Sequence, residues 1–234
     1  MPCFVQVLFL KIKKYPLSIF TWKMVKNDYF CEKLKDMVAE ARTSRLEKAK
    51  PLKFPQRKLL TFDDYARLTP PDSGNYELHN GKIIHMPGPL IPHQRLSRRL
   101  GRLIDNHLYD NPIGELFYAP MDVIFNPNDT MQPDILVVSN ERASIKDRQI
   151  KGAPDFIVEI LSDGNTPKEM SYKKHVFETH GVREYWVINL KKQTITQYEN
   201  VEDEFVIRSK INVDGSLSSV VIEGFTLKAS DIFE

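Results

Sequence analysis

Glu159 interrupts an otherwise apolar run, Phe156-Ile157-Val158-Glu159-Ile160-Leu161. A carboxylate ionised inside such a strand needs a cation or a dense set of donors, because stripping it of water is costly. Asp134 stands at the mouth of a second apolar run, Ile135-Leu136-Val137-Val138, after Pro133. Two carboxylates on neighbouring central strands can share a hard cation such as Mg²⁺, which takes oxygen ligands and keeps several waters. The competing reading is an Asp capping the strand turn after proline and a Glu in a salt bridge. Asp155 lies four residues before Glu159, on the same face of a strand; directly after Pro154 it reads as a turn residue.

Lys173 and Lys174 fall on the helix that follows. From there one of them can reach back over the acidic end of the sheet and stabilise charge developing on a phosphate. A solvated helix face is the alternative for each. His93-Gln94 opens a longer helix, and a helix N-terminus favours anions. His79 and His85 flank a hairpin turn. The chain has no HExxH, no His/Cys zinc spacing, no G-x-S-x-G, no Walker loop and no G-x-G-x-x-G. Serine-hydrolase and nucleotide-driven chemistries therefore lose their motifs.

These residues need elements to hold them. Thr61 with Asp64 has the form of a capping box for a short helix to Leu68. Residues 76–79, then Asn80-Gly81, then 82–86 read as a hairpin with a type I′ turn. From Pro92 to Asn111, Leu96, Leu100, Leu103, Ile104 and Leu108 recur at helical spacing. Arg95, Arg98, Arg99 and Arg102 lie mostly on other faces of that helix and are candidates for phosphate contacts. Residues 117–125 alternate as one strand. The runs 134–138 and 156–161 suit central strands buried on both faces. A helix over 168–179 ends at Gly181. Strands follow at 184–190, 194–199 and 204–211, with one more over 217–227. The order predicts an α/β or α+β mixed sheet around one core, not a doubly wound fold.

The 234 residues carry a net charge of +2, too small to bind nucleic acid by charge alone. Residues 1–50 hold 11 Lys and Arg against 5 Asp and Glu, and the remainder 22 against 26. An anionic substrate of the main body must therefore meet a local basic patch or a metal ion. Cys3 and Cys31 both lie in the first segment, so the body has no disulfide framework and no Cys-based zinc site. That usage fits a cytoplasmic protein. The apolar stretches 3–10 and 15–22 are far short of the roughly 20 residues that span a bilayer. Residues 1–55 read as an N-terminal extension. Translation starting upstream of a true initiator at Met24 or Met37 accounts for it, against a membrane-surface anchor or a docking arm. Residues 56–234 form the domain.

Several segments together resemble the Uma2 family. They are Tyr76-Glu77-Leu78 with Asn80-Gly81, His93-Gln94, Gln132-Pro133-Asp134-Ile135, the run from Ala153 to Ser162, and Gly181-Val182-Arg183-Glu184-Tyr185-Trp186-Val187. The resemblance covers residues 58–234. It implies a restriction-endonuclease-like, PD-(D/E)XK-type core: a central mixed sheet flanked by helices. It also implies a metal-dependent endonuclease acting on nucleic acid, DNA first, with one or two Mg²⁺ or Mn²⁺ ions. Asp134 and Glu159 match the two metal-binding acids. The lysine expected two residues after the second acid is replaced by Leu161, and Lys173 takes its place from the next helix. Glu77 matches the early glutamate and His93 the histidine that starts the long helix. Glu169, Phe177 and Asn189 depart from the usual Asp, Tyr and Asp. The rival implied by the same fold is a catalytically silent nucleic-acid-binding or protein-interaction module. A homodimer through the C-terminal antiparallel strands is a further expectation.

Overall fold

The computed structural model describes residues 59–70, 75–162 and 164–233. The N-terminal extension and its boundary at residue 55 lie outside the described residues. Thr61 caps helix α1 (Phe62–Leu68), its hydroxyl accepting from the Asp64 N–H while Asp64 accepts from the Thr61 N–H. The expected capping box is present. Strands β1 (Asn75–His79) and β2 (Lys82–Met86) form the expected hairpin, with Asn80 at φ 46° and Gly81 at φ 66°. A Cβ at Gly81 would sit 2.8 Å from the Leu59 backbone, so both the turn and the close approach require glycine.

Helix α2 (Ile91–Asp110) buries Leu96, Leu100, Ile104 and Leu108. That stripe packs on one face of a six-stranded mixed sheet. In spatial order the sheet runs β11 (Glu204–Ile211), β10 (Thr194–Val201), β9 (Glu184–Asn189), β8 (Phe156–Leu161), β6 (Ile135–Ser139) and β3 (Gly114–Tyr118). Strands β8 and β9 are parallel, and the other pairs antiparallel. Alternation along β6 and β8 divides the core. Ile135, Val137, Phe156, Val158 and Ile160 face the α2 side. Leu136, Val138 and Ile157 face the other, with Val176 and Phe177 of helix α3 (Pro167–Thr179).

A second, five-stranded sheet packs into that other layer. Its order is β2, β1, β5 (Asp129–Met131), β4 (Val123–Asn126) and β7 (Ile150–Lys151). Two expectations need correcting here. Residues 117–125 are not one strand: β3 ends at Tyr118 and β4 begins at Val123, in different sheets, with Pro120 between them. Nor is 217–227 one strand. It is two short antiparallel strands, β12 (Ser216–Ser218) and β13 (Thr226–Lys228), which lead into helix α4 (Ser230–Phe233). Gly224, at φ 76°, lies in the turn between them.

Candidate active site

Strands β6 and β8 are antiparallel neighbours with Ile135 opposite Val158. One step further along that register, Asp134 meets Glu159. The Ile160 N–H donates to Asp134 Oδ2 at 2.7 Å, which fixes the acid across the strand pair. Strand parity puts Glu159 with Ile157, on the α3 side. There Lys173 Nζ donates to Glu159 Oε1 at 2.8 Å and lies 2.9 Å from Glu77 Oε1 of β1. One buried ammonium thus ties helix α3 to both sheets.

Glu77 has little capacity left over. Its Oε1 also accepts from the Gln132 N–H at 2.8 Å, and His79 Nε2 lies 2.7 Å from Oε2. Burial alone would raise the Glu77 carboxyl, but Lys173, His79 and the Gln132 N–H hold it down to about 2. Glu159 goes the other way. Burial, joined by the charges of Asp134 and Glu77, outweighs Lys173 and pushes it up to about 8. Burial would lower Lys173, yet the two carboxylates outweigh it and raise its pKa. Lys173 is therefore a standing positive charge and not a base.

His93 sits in the first turn of α2 with Nε2 3.2 Å from Asp134 Oδ2. Its Nδ1 is buried and has no hydrogen-bond partner among the described residues. A cleft of about 370 Å³ opens over these groups. Glu77, His93, Asp134, Glu159, Lys173 and Arg98 all line it.

The four arginines stand at i, i+3, i+4 and i+7 and so form one stripe along α2. Only Arg98 borders this cleft. Arg95 and Arg99 line a separate cleft of about 360 Å³ beside α4, where Arg99 donates to the Ile232 carbonyl at 3.3 Å. Arg102 is exposed further along the helix.

Asp155 stays out of the site, in keeping with the turn reading. It is fully buried at the far end of β8, accepts from the Ser139 N–H at 2.8 Å and lies 3.3 Å from Arg142 Nε. Lys174 turns away toward Glu178, 3.2 Å off, and the Tyr198 ring.

Gln132 carries no site signal of its own in the sequence. Its backbone holds Glu77 and its amide donates to Asp122 Oδ1 at 2.9 Å. Tyr118, at the cleft rim, looked in the sequence like any strand residue.

Whether these residues suit a divalent cation can be judged from the donor set. Asp134 Oδ1 and Glu159 Oε2 accept no hydrogen bond from any described residue. Both are hard oxygens on residues that line one cleft, and three carboxylates there meet a single lysine. Among the described residues, no three His, Cys, Asp or Glu side chains converge to hold a metal by themselves. The set therefore fits a hard cation that keeps much of its water shell, such as Mg²⁺, and not a closed zinc site.

A mixed sheet covered by α2 on one face and by α3 with a second sheet on the other is the restriction-endonuclease-like architecture. The chain belongs to the Uma2 family, described as "Putative restriction endonuclease", whose family model matches residues 62–230. It is 26% identical over 149 residues to an uncharacterized protein of Synechocystis sp., covering 62% of this chain and 84% of that one. It also resembles a crystal structure from Anabaena variabilis described as a "putative nuclease belonging to DUF820". The TM-score is 0.64 at 22% identity, covering 74% of this chain and 97% of the other. No helix among the described residues is long and apolar enough to cross a membrane.

Proposed function

We propose that this protein is a metal-dependent nuclease that hydrolyses phosphodiester bonds, with DNA as the substrate. The observation that carries the reading is the buried Lys173 ammonium, held between Glu159 and Glu77 at the floor of the cleft that Asp134 shares. Asp134 and Glu159 would hold the divalent cation. When bound, it supplies Lewis-acid stabilisation of the phosphate and lowers the pKa of water.

The chain's own groups do the rest. Lys173 presents a fixed positive charge to the phosphoryl group in its transition state, with no reorganisation needed at that moment. Glu77, clamped by His79 and Gln132, is a positioning residue for that ammonium. His93 orients Asp134 from the start of α2. Arg98 binds a backbone phosphate at the rim, and Arg95, Arg99 and Arg102 extend the basic stripe beyond it. Contacts of this kind make binding salt-dependent and add no sequence information.

Nicking of supercoiled plasmid with Mg²⁺, Mn²⁺ or chelator tests the proposal. The wild type nicks with metal and not with chelator. Glu159→Ala slows nicking by at least about 100-fold while far-UV circular dichroism stays native. Undiminished nicking by folded Glu159→Ala would overturn the site. No nicking by folded wild type with either metal would favour the silent binding module.

A further inference from the structure

Tyr118 stands apart from its surroundings. It closes β3, next to the catalytic strand, and the following Ala119 N–H donates to the Asp134 carbonyl at 3.1 Å. The side chain lines the cleft, yet the residue is 42% exposed. Its hydroxyl end is wedged over α2 at Gly101, where an added Cβ would collide with the phenol ring. Glycine at 101 is what lets the ring lie there. A large, part-exposed aromatic residue is thus held at one end beside the cleft.

Part of the rim matches it, while Gln94, Ser97, Ser162 and Asn165 offer polar groups for the sugar and phosphate of the same nucleotide. Met86, Pro87, Pro89 and Pro120 add apolar surface, and Arg98 adds one guanidinium. A cleft that needed only the outside of a duplex would be lined for phosphates and sugars. Base faces are hidden inside a duplex, whereas an unpaired nucleotide offers a flat apolar face beside its phosphate. Aromatic rings are common stacking platforms for such bases, tolerant of sequence because every base has a π-face. The cleft's volume of about 370 Å³ is near the lower end of ordinary small-ligand sites, the scale of one nucleotide.

We propose that Tyr118 is a stacking platform for an unpaired base beside the phosphodiester held at Asp134, Glu159 and Lys173, so that the substrate is single-stranded or locally unpaired nucleic acid. This rests on the nuclease reading for the position of the phosphate. The binding test does not need cleavage.

The test uses the full chain in EDTA, with fluorescence anisotropy on three labelled probes of equal length: oligothymidylate, an abasic strand and a duplex. Wild type binds oligothymidylate more tightly than the abasic strand. Tyr118→Ala weakens oligothymidylate binding roughly 5- to 100-fold, shrinks that preference by the same factor and leaves duplex binding unchanged. Tyr118→Phe keeps wild-type behaviour. A merely structural role would move all three probes together and would leave the base-against-abasic ratio alone. The proposal is overturned if the ratio is the same in wild type and Tyr118→Ala, or if the duplex loses as much as the single strand. A protein that nicks nothing but shows the Tyr118-dependent ratio loses the nuclease reading and keeps this one. A protein that nicks with metal but shows no such ratio does the reverse.

Discussion

Lys173→Met abolishes nicking and destabilises the folded domain by about 3–5 kcal/mol, read as a lower urea midpoint at an unchanged slope. Lys173 is 1% exposed, and its partners Glu77 and Glu159 are 1% and 5% exposed. Methionine fills most of the volume, so a cavity contributes little. The cost comes from two carboxyl groups left in a dry site without their ammonium. Glu159, raised to about 8 even beside Lys173, takes up a proton near neutral pH, so the charge left behind is that of Glu77, which keeps only the Gln132 N–H and His79. That asymmetry predicts a rescue: Lys173→Met/Glu77→Gln regains most of the stability, because no uncompensated charge remains. It regains no nicking, because the fixed cation is gone. Equal loss of stability in the single and double variants would show that the pairing is not what the lysine contributes.

Glu184→Ala has the second large effect, again about 3–5 kcal/mol, but with a different signature. Glu184 is fully buried at the start of β9. Its Oε1 accepts from Trp186 Nε1 at 2.6 Å and Gln197 Nε2 at 2.7 Å. Its Oε2 accepts from Ser219 Oγ at 2.5 Å and from the Val220 and Val221 N–H groups at 2.9 and 3.0 Å. Alanine removes the shared acceptor of five donors, three of them in the turn between β12 and β13; Gln197 Nε2 keeps the Ser218 carbonyl and the Val221 N–H keeps Ser219 Oγ. Charge-assisted bonds of this kind contribute more than neutral ones. Trp186 reports the change directly, since its indole N–H loses its acceptor and the fluorescence should shift. The cleft is untouched, so metal-dependent nicking per folded molecule stays near wild type. A loss of nicking without loss of stability would place Glu184 in the chemistry and contradict its role as an anchor.

The two acids were legible because each breaks a strong local pattern. Glu159 stands in an apolar strand and Asp134 at the head of another, and their pairing follows from β6 and β8 being neighbours. The lysine was legible only as a candidate: Lys173 and Lys174 look alike in sequence. The turn of α3 sends one between the sheets and the other over Tyr198. Nothing local reveals that Glu77, far upstream, accepts from the same ammonium, because strand pairing between β1 and β5 brings it there. The arginines read as one set, yet only Arg98 borders the candidate site, while Arg95 and Arg99 line a second cleft and Arg102 lines neither. Two strand expectations failed for a common reason. Alternation continued through residues where the backbone turns, past Pro120 in one case and Gly224 in the other. Those residues carried the available warning. Glu184 was hidden because three of its five donors come from a segment that periodicity read as a single strand.

Titration calorimetry of Mn²⁺ into the full chain, wild type beside Asp134→Asn, tests the central claim most directly. Asparagine retains an oxygen to accept from the Ile160 N–H, so the strand pair stays closed and only the charge is lost. Two acids that hold a hard cation predict saturable Mn²⁺ binding to wild type, and affinity at least about tenfold weaker in Asp134→Asn. No binding to folded wild type, or identical binding to both proteins, would contradict a metal site at Asp134 and Glu159.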